Sequence, residues 1–302
     1  MQLPFVSIII PVFNDPDRLQ FCLTALQKQT YPENLREIII VDNGSTDNTL
    51  KIAQDFPVIT LVENQIQSSY AARNLGIQYA KGEIIAMLDS DCQPIAEWLE
   101  NGVKSLQQTS SDLIGGKVTF TFSKEYTIAE FLDSVTNMQI ENNIRTRGVA
   151  KTANLFVRKS VFKSIGLFPD HVRSGGDVIW TRQASQAGLK LNYSEKAEVF
   201  HPARKLMPLL KKQYRVGFGQ PQIWLDNGDS TIRIWVRILW GFRPPVYGIL
   251  SSYNNSSSLE YLKLKKTLSI WWIQWLYRLA MNFGRISYWL NKSDSHSNRS
   301  KT

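Results

Sequence analysis

IIAMLDSDCQP, residues 84–94, runs from five apolar residues straight into Asp89-Ser90-Asp91. Burying a carboxylate costs several kcal/mol unless something pairs with it, so two of them at the mouth of a core strand call for a positive partner. Three earlier runs have the same build: VSIIIPV (6–12), EIIIVD (37–42) and VITLV (58–62) are short, β-branched and almost without polar alternation. Such runs suit strands covered on both faces. Helix signals fall between them. Asp15-Pro16 marks a start, Leu19, Cys22, Leu23 and Leu26 follow at helical spacing, and further helices are expected near Tyr70 to Ala80 and over 95–108. The alternation predicts an α/β domain with a largely parallel sheet.

Beyond residue 112 the pattern is mixed. DLIGGKVTFTF reads as strand, IAEFLDSVTNMQIENNIR as one helix, and TANLFVRKSVFKSIG as a strand entering a short helix, which predicts an added, partly antiparallel half. SSYNNSSS (251–258) reads as a loop, and the polar last dozen residues as disordered. The chain has 302 residues and a formal net charge of +9, unevenly spread: from residue 201 onward there are 16 Lys and Arg against 4 Asp and Glu, together with seven of the nine Trp. A near-neutral body is followed by a basic, aromatic extension. Cys22 and Cys92 form no ligand spacing, which suits a reducing compartment, and the N-terminal apolar run is too short for a secretory leader.

Ligands of a parallel α/β sheet gather at the carboxyl ends of its strands. VDNGSTDNT places Asp42 at such an end, where its carboxylate suits a nucleobase N–H or a ribose hydroxyl; capping of the next helix by Asp42, Ser45 and Asp47 is the plainer alternative. Asp89 and Asp91 are the second signal. Mg²⁺ or Mn²⁺ bridging a diphosphate takes only one or two protein carboxylates, a task that fits a D-x-D at a strand end as well as a solvated turn does. In RSGGDVIWTRQASQAG (173–188), Gly175 and Gly176 free the backbone and Asp177 opens a helix, as its cap or as a working carboxylate.

In order and spacing, the stretch from VSIIIPVFNDPDRLQ through IIIVDNGSTDNT, AARNLGI, MLDSDCQP and the GGD segment resembles the family 2 glycosyltransferases over residues 5–205. The resemblance implies a GT-A fold, a Rossmann-like mixed sheet flanked by helices, followed here by a helical basic and aromatic extension. It implies that Pro11, Phe13 and Asp42 surround a nucleotide, that Arg73 and Asn74 close that pocket, and that Asp89 meets the ribose or metal region. It further implies Asp91 as a ligand of Mg²⁺ or Mn²⁺, His201 of FHPAR beside metal and diphosphate, and Asp177 as the catalytic base. Arg215 is expected to help neutralise the departing diphosphate. The sequence departs from the family pattern where Gly176, rather than Glu, precedes Asp177, and where ENQIQSSYAARN lacks a glycine before Arg-Asn. KKQYRVGFG is only a loose relative of the Q-x-x-R-W element of processive synthases, so transfer of one sugar or a few is expected.

The implied domains are 1–205 for catalysis, with a donor half about 1–92 and an acceptor half about 93–205, then a helical, membrane-associating extension 206–290 and a tail 291–302. The expected partners are a nucleotide-sugar donor, a lipid-linked or glycan acceptor, and an anionic membrane surface at the cytoplasmic face. In LSIWWIQWLYRLAMNFGRISYWL (268–290), Gln274, Arg278, Asn282 and Arg285 form a narrow polar stripe, so a spanning helix is not expected, but an interfacial one is. TIRIWVRILWGFRPPVYGIL (231–250) behaves alike. No nucleic-acid module is present. The competing classes are a nucleotidyltransferase, although PVFNDPDR is not a Gly- and Lys/Arg-rich phosphate loop, and a non-catalytic sugar-nucleotide-binding protein.

Overall fold

A computed structural model describes residues 3–245 and 264–299 of the chain. It divides into two compact units: the first comprises residues up to Thr121, Met138–Val172 and Gly176–Pro202; the second, Phe122–Asn137, Arg173–Gly175 and residues from Ala203 onward.

The first unit is built on one sheet. Its strands are β1 (Val6–Val12), β2 (Arg36–Asp42), β3 (Ile59–Val62), β4 (Ile84–Leu88), β5 (Gln93–Pro94), β6 (Leu113–Thr121), β7 (Asn154–Arg158) and β8 (Leu191–Pro202), in the spatial order β3-β2-β1-β4-β7-β6-β8-β5. The apolar runs explain the centre of that order. All seven residues of β1 and all five of β4 are buried, because helices cover both faces. Ile8, Ile10 and Ile40 pack with Leu19, Leu23 and Leu26 of α1 (Pro16–Gln27) and with Trp98 of α4 (Trp98–Gln108). Ile9, Ile39, Val41 and Met87 pack on the other side with Ala72 and Ile77 of α3 (Ser69–Tyr79) and Trp180 of α8 (Gly176–Gln186). Each such isoleucine stabilises the fold by roughly 1.5–3 kcal/mol.

The register levels the strand ends. Val12 lies opposite Asp42 and Asp42 opposite Val62 in parallel pairs, and β4 pairs β1 on its other side, so the chain reverses direction across the sheet between β1 and β4. That reversal opens a crevice at the carboxyl ends. Beyond β4 the antiparallel half begins, as expected: β7 runs against both β4 and β6, while β6 and β8 are parallel with an irregularity at Gly116/Lys117. Asn154 satisfies that irregularity from within. Its side-chain nitrogen donates to the Lys117 and Ala197 carbonyls, and its oxygen accepts from the Trp98 indole at 2.9 Å.

Three expectations need amending. Helix α4 starts at Trp98 rather than 95, because Gln93 and Pro94 pair with β8. The stretch IAEFLDSVTNMQIENNIR forms two helices, α5 (Ile128–Thr136) and α6 (Ile140–Arg147), broken where Asn137 is extended and Met138 takes a φ of 53°. Strand β8 alternates buried and exposed residues irregularly, and its glutamates and lysine hid it.

In the second unit, α5 packs with α9 (Leu206–Asp226) and α11 (Leu264–Arg299), and α10 (Thr231–Gly241) joins them. The glycines of YRVGFG and NFGR set the spacing. A Cβ on Gly217 would lie 1.9 Å from the Met281 carbonyl oxygen, and one on Gly284 would lie 2.1 Å from that of Tyr214. The polar stripe of α11 is divided: Arg278 is exposed, while Asn282 and Arg285 face inward. Asn282 is fully buried, donates to the Ile238 carbonyl and accepts from Arg285, whose Nε donates to Gln220. Large apolar residues face outward instead: Trp272, Leu276, Phe283 and Leu290 on α11, and Ile232, Val236, Leu239 and Trp240 on α10. No helix among the described residues is long and apolar enough to cross a membrane. The end expected to be disordered continues as helix to Arg299, and the loop 251–258 lies outside the described residues.

Helix α5 begins with a reciprocal cap that yields a pH prediction. Glu130 accepts from the Thr127 and Ser123 backbone amides and from both hydroxyls. Burial alone would raise its pKa, but these four donors outweigh it and pull the carboxyl from 4.5 down to about 2. Because the folded value is depressed, the stabilisation is complete above pH 4.5 and is lost as pH falls toward 2. Glu130→Gln is therefore expected to cost about 1–2 kcal/mol near neutrality. In urea titrations at several pH values, the difference from wild type should shrink on acidification through that window.

Candidate active site

Loops after β1 and β2 are stapled together before any ligand arrives. Asn14, held at φ 48°, donates its amide to the Ser45 hydroxyl and accepts the Thr46 amide on its side chain, while the Asp15 amide donates to Thr49. Pro11 is buried in β1 and Phe13 is 45% exposed beside this staple. Asp42 ends β2, where Oδ2 accepts the Gly44 and Ser45 amides at 3.2 and 2.9 Å. Gly44 allows the tight turn with a φ of 83°. The other oxygen, Oδ1, is buried without a hydrogen-bond partner. An orphaned buried acceptor is costly, and a nucleobase N–H or ribose hydroxyl is the kind of donor that would satisfy it. Asp47, by contrast, caps locally, accepting from the Thr49 amide and hydroxyl.

Arg73 is the positive partner that Asp89 calls for. Buried on α3, it sends Nη2 to Asp89 Oδ1 at 2.5 Å and Nη1 to the Ser69 carbonyl, and its Nε is buried without a partner. Burial raises the Asp89 pKa, Arg73 opposes that, and Asp91 adds to it; the charges of His201 and Asp177 are also felt there. Its neighbour Asp91 and three side chains from other segments, Arg73, His201 and Asp177, thus act on one carboxylate. Asn74 has a different use. Its amide donates to the Phe168 carbonyl at 2.8 Å and accepts the Phe168 amide at 3.0 Å, tying α3 to the segment before α8.

Asp91 meets His201, which the end of β8 brings in fully buried: Nε2 lies 3.3 Å from Asp91 Oδ2. The other ring nitrogen, Nδ1, lies 2.8 Å from the Pro202 carbonyl oxygen. A carbonyl can only accept, so Nδ1 carries a proton, and Nε2 is the ring atom turned toward the carboxylate. Such a pair fits a cation between them, and the backbone bond fixes the tautomer as at many metal-bound histidines. Ligand atoms of Asp91, Cys92 and His201 lie within 4.8 Å of one another. Burial pushes the Cys92 thiol well up, so the oxygen and nitrogen donors of Asp91 and His201 are the set suited to Mg²⁺ or Mn²⁺. Arg18, exposed on α1, reaches both Asp15 at 3.5 Å and Asp91 at 3.9 Å.

Asp177 sits in the first turn of α8, 8% exposed. Its Oδ1 accepts from the Val178 amide at 2.9 Å and from the Tyr70 phenol at 3.2 Å. The sequence reading passed over Tyr70 and Arg18. Tyr70 lies three residues before Arg73, on the same helix face, and that spacing was its available signal. Arg215 lies exposed on α9, in the second unit.

A mixed sheet of this order, with the carboxylates after β4 met by a buried arginine and a buried histidine, is the architecture of the GT-A glycosyltransferases. The family model for glycosyl transferase family 2 matches residues 7–165, and the chain belongs to that family. It is 45% identical over 302 residues to glycosyltransferase AglE of Haloferax volcanii, covering 97% of this chain and 98% of that one. A poly(ribitol-phosphate) beta-glucosyltransferase of Bacillus spizizenii is 27% identical over 66% of this chain and 32% of its own length. Among solved structures, the mannosyltransferase PcManGT from Pyrobaculum calidifontis, in complex with GDP-Man and Mn²⁺, superposes with a TM-score of 0.62 at 16% identity, over 94% of this chain and 87% of that one. A 1–349 fragment of S. aureus TarS gives 0.54 at 17%, over 95% and 92%. These likenesses show the fold.

The ion pair and the carboxylate crowd make stability predictions of different size. Arg73→Met leaves Asp89 without its buried cation and is expected to lower unfolding stability by about 2–3 kcal/mol. Asp91→Asn relieves repulsion with Asp89, so it should cost less than about 1 kcal/mol despite losing contacts to His201 and Arg18. Guanidinium denaturation of both variants checks the contrast.

Proposed function

We propose that this chain is an inverting, metal-dependent hexosyltransferase that moves a hexose from a nucleotide-diphosphate sugar to a lipid-linked or glycan acceptor. The observation that carries the reading is Asp177, a carboxylate held through one oxygen at a helix start, with its charge felt at Asp89. Asp42, with Pro11 and Phe13 beside it, takes the nucleoside; Asp89 and Arg73 order the ribose side, and Asn74 braces the wall. Asp91 and His201 hold the divalent cation, whose charge would offset that building on the departing diphosphate. Arg215 is assigned to the same diphosphate.

Asp177 takes the proton of the acceptor hydroxyl as that oxygen bonds to the anomeric carbon and the bond to the diphosphate breaks. A single displacement from the face opposite the leaving group inverts the anomeric centre. In this reading residues 1–205 form the catalytic domain, with donor and acceptor halves meeting near residue 92.

The extension from 206 to 290 seats the enzyme on an anionic surface at the cytoplasmic face of the membrane. Support comes from α10 and α11, which leave Trp240, Leu239, Trp272 and Phe283 exposed, with Arg233 exposed on α10 and Arg243 exposed just beyond it. A protein with such a surface gains apolar burial and charge attraction from the same contact.

Two measurements test the two halves. A screen of nucleotide sugars with and without Mn²⁺ for thermal stabilisation identifies the donor, since a ligand of the native state raises its apparent stability. With that donor, Asp177→Asn should keep the stabilisation and lose transfer by about 10²–10⁴-fold; near wild-type transfer would remove Asp177 as the base. In flotation with phosphatidylglycerol/phosphatidylcholine vesicles, the wild type should rise with the lipid and Leu239→Glu/Trp240→Glu should remain below. Equal soluble fractions would sink the membrane reading.

A further inference from the structure

Tyr70 is buried on α3, and three neighbours fix where its ring lies. The Arg73 guanidinium carbon stands 5.9 Å from the ring centre, the Phe168 ring centre is at 6.2 Å, and a Cβ added to Gly176 would meet ring atoms Cδ2 and Cε2 at 2.9 Å. The last contact is specific. Any side chain other than hydrogen at 176 would push against the ring, so the glycine directly before Asp177 is what lets the phenol reach that residue. The phenol oxygen then lies 3.2 Å from Asp177 Oδ1.

We propose that Tyr70 is a positioning residue for the transfer reaction: its hydroxyl donates to Asp177 Oδ1 and fixes the carboxylate so that Oδ2 faces the acceptor hydroxyl. This rests on the assignment of Asp177 as the base. The bond shares Oδ1 with the Val178 amide, so both protein donors fall on one oxygen and the second is left for chemistry. Rotation about the carboxylate bond would exchange the two oxygens, and Tyr70 resists it from the side opposite the helix backbone. The phenol stays a donor throughout, because burial, first, and the Asp177 charge, second, raise its pKa.

The same geometry links base and donor site. Arg73 holds Asp89 through Nη2 and lies near the Tyr70 ring, while Tyr70 holds Asp177, so one turn of α3 sets the positions of two carboxylates from distant segments. The Asp177 charge is felt both at Tyr70 and at Asp89. A donor on a carboxylate favours its charged form, so losing the phenol must raise the pH at which the base becomes protonated.

The test compares Tyr70→Phe with wild type and Asp177→Asn, using full-length protein, Mn²⁺ and the donor found by thermal stabilisation. The Phe ring preserves packing against Phe168 and Gly176. The expected result is a fall in kcat of about tenfold, donor KM within about twofold, and an acidic limb of kcat/KM moved up by about one pH unit. If Tyr70→Phe leaves kcat and the acidic limb at wild-type values while Asp177→Asn is inactive, the positioning role is wrong and the base stands. If Asp177→Asn is itself active, the base assignment has failed instead. Should Tyr70→Phe not fold, Gly176→Ala displaces the phenol without deleting it, and an unmoved acidic limb there would overturn the proposal equally.

Discussion

The ion pair between Arg73 and Asp89 is the constraint from which the rest of the first unit follows. Strand β4 must deliver its chain to the sheet mouth, and there Asp89 and Asp91 stand one residue apart with Asp15 close enough to feel Asp91. Three carboxylates in one crevice repel each other in a medium that screens poorly. Together with the exposed Arg18, which reaches Asp15 and Asp91, a buried guanidinium, bonded to Asp89 and anchored at the Ser69 carbonyl, makes that crowd tolerable. Its position then dictates the position of α3, and α3 in turn carries Asn74 and Tyr70 to the segment that leads into Asp177.

The pairing leaves deliberate gaps. Arg73 compensates Asp89 but not Asp91, and His201 presents its Nε2 to Asp91 while its Nδ1 is held by a backbone carbonyl. Asp42 is satisfied through one oxygen only. The buried Asp42 Oδ1 and Arg73 Nε mark where the protein stops supplying partners to itself. Fully paired, such groups would make a stable and inert strand mouth; left as they are, they have capacity for a ligand.

The parts of this arrangement that depend on local pattern were legible in the sequence. Buried parallel strands announce themselves as β-branched runs, and strand-end carboxylates stand out because they interrupt those runs. Long-range pairing was less visible. Strand β8 carries Glu195, Lys196 and Glu198 because only part of each face is covered, so it lacks the apolar signature while still bringing His201 to Asp91. The break between α5 and α6 was hidden because Met138 adopts a positive φ, a conformation no residue preference would assign to methionine. Asn74 read as a pocket residue from its motif, yet its side chain is spent on the Phe168 backbone. Tyr70 was silent because its partner lies 107 residues away.

The second unit reverses the usual logic of a helix stripe. A polar stripe on an aromatic helix ordinarily marks the side that water sees, yet Asn282 and Arg285 of α11 are turned inward, bonding to Ile238, Gln220 and each other. Glycines at 217 and 284 let the backbones of α9 and α11 close to within contact, and aromatic pairs such as Phe218–Tyr288 and Trp235–Trp289 fill the interface beside them. Part of the aromatic and leucine complement is left outside that interface. Trp272, Leu276, Phe283 and Leu290 face outward, an apolar surface of the kind that suits an interaction site. The stripe is thus divided, Asn282 and Arg285 inward and Arg278 outward, which is why the sequence pattern alone could not distinguish a water-facing side from a buried one.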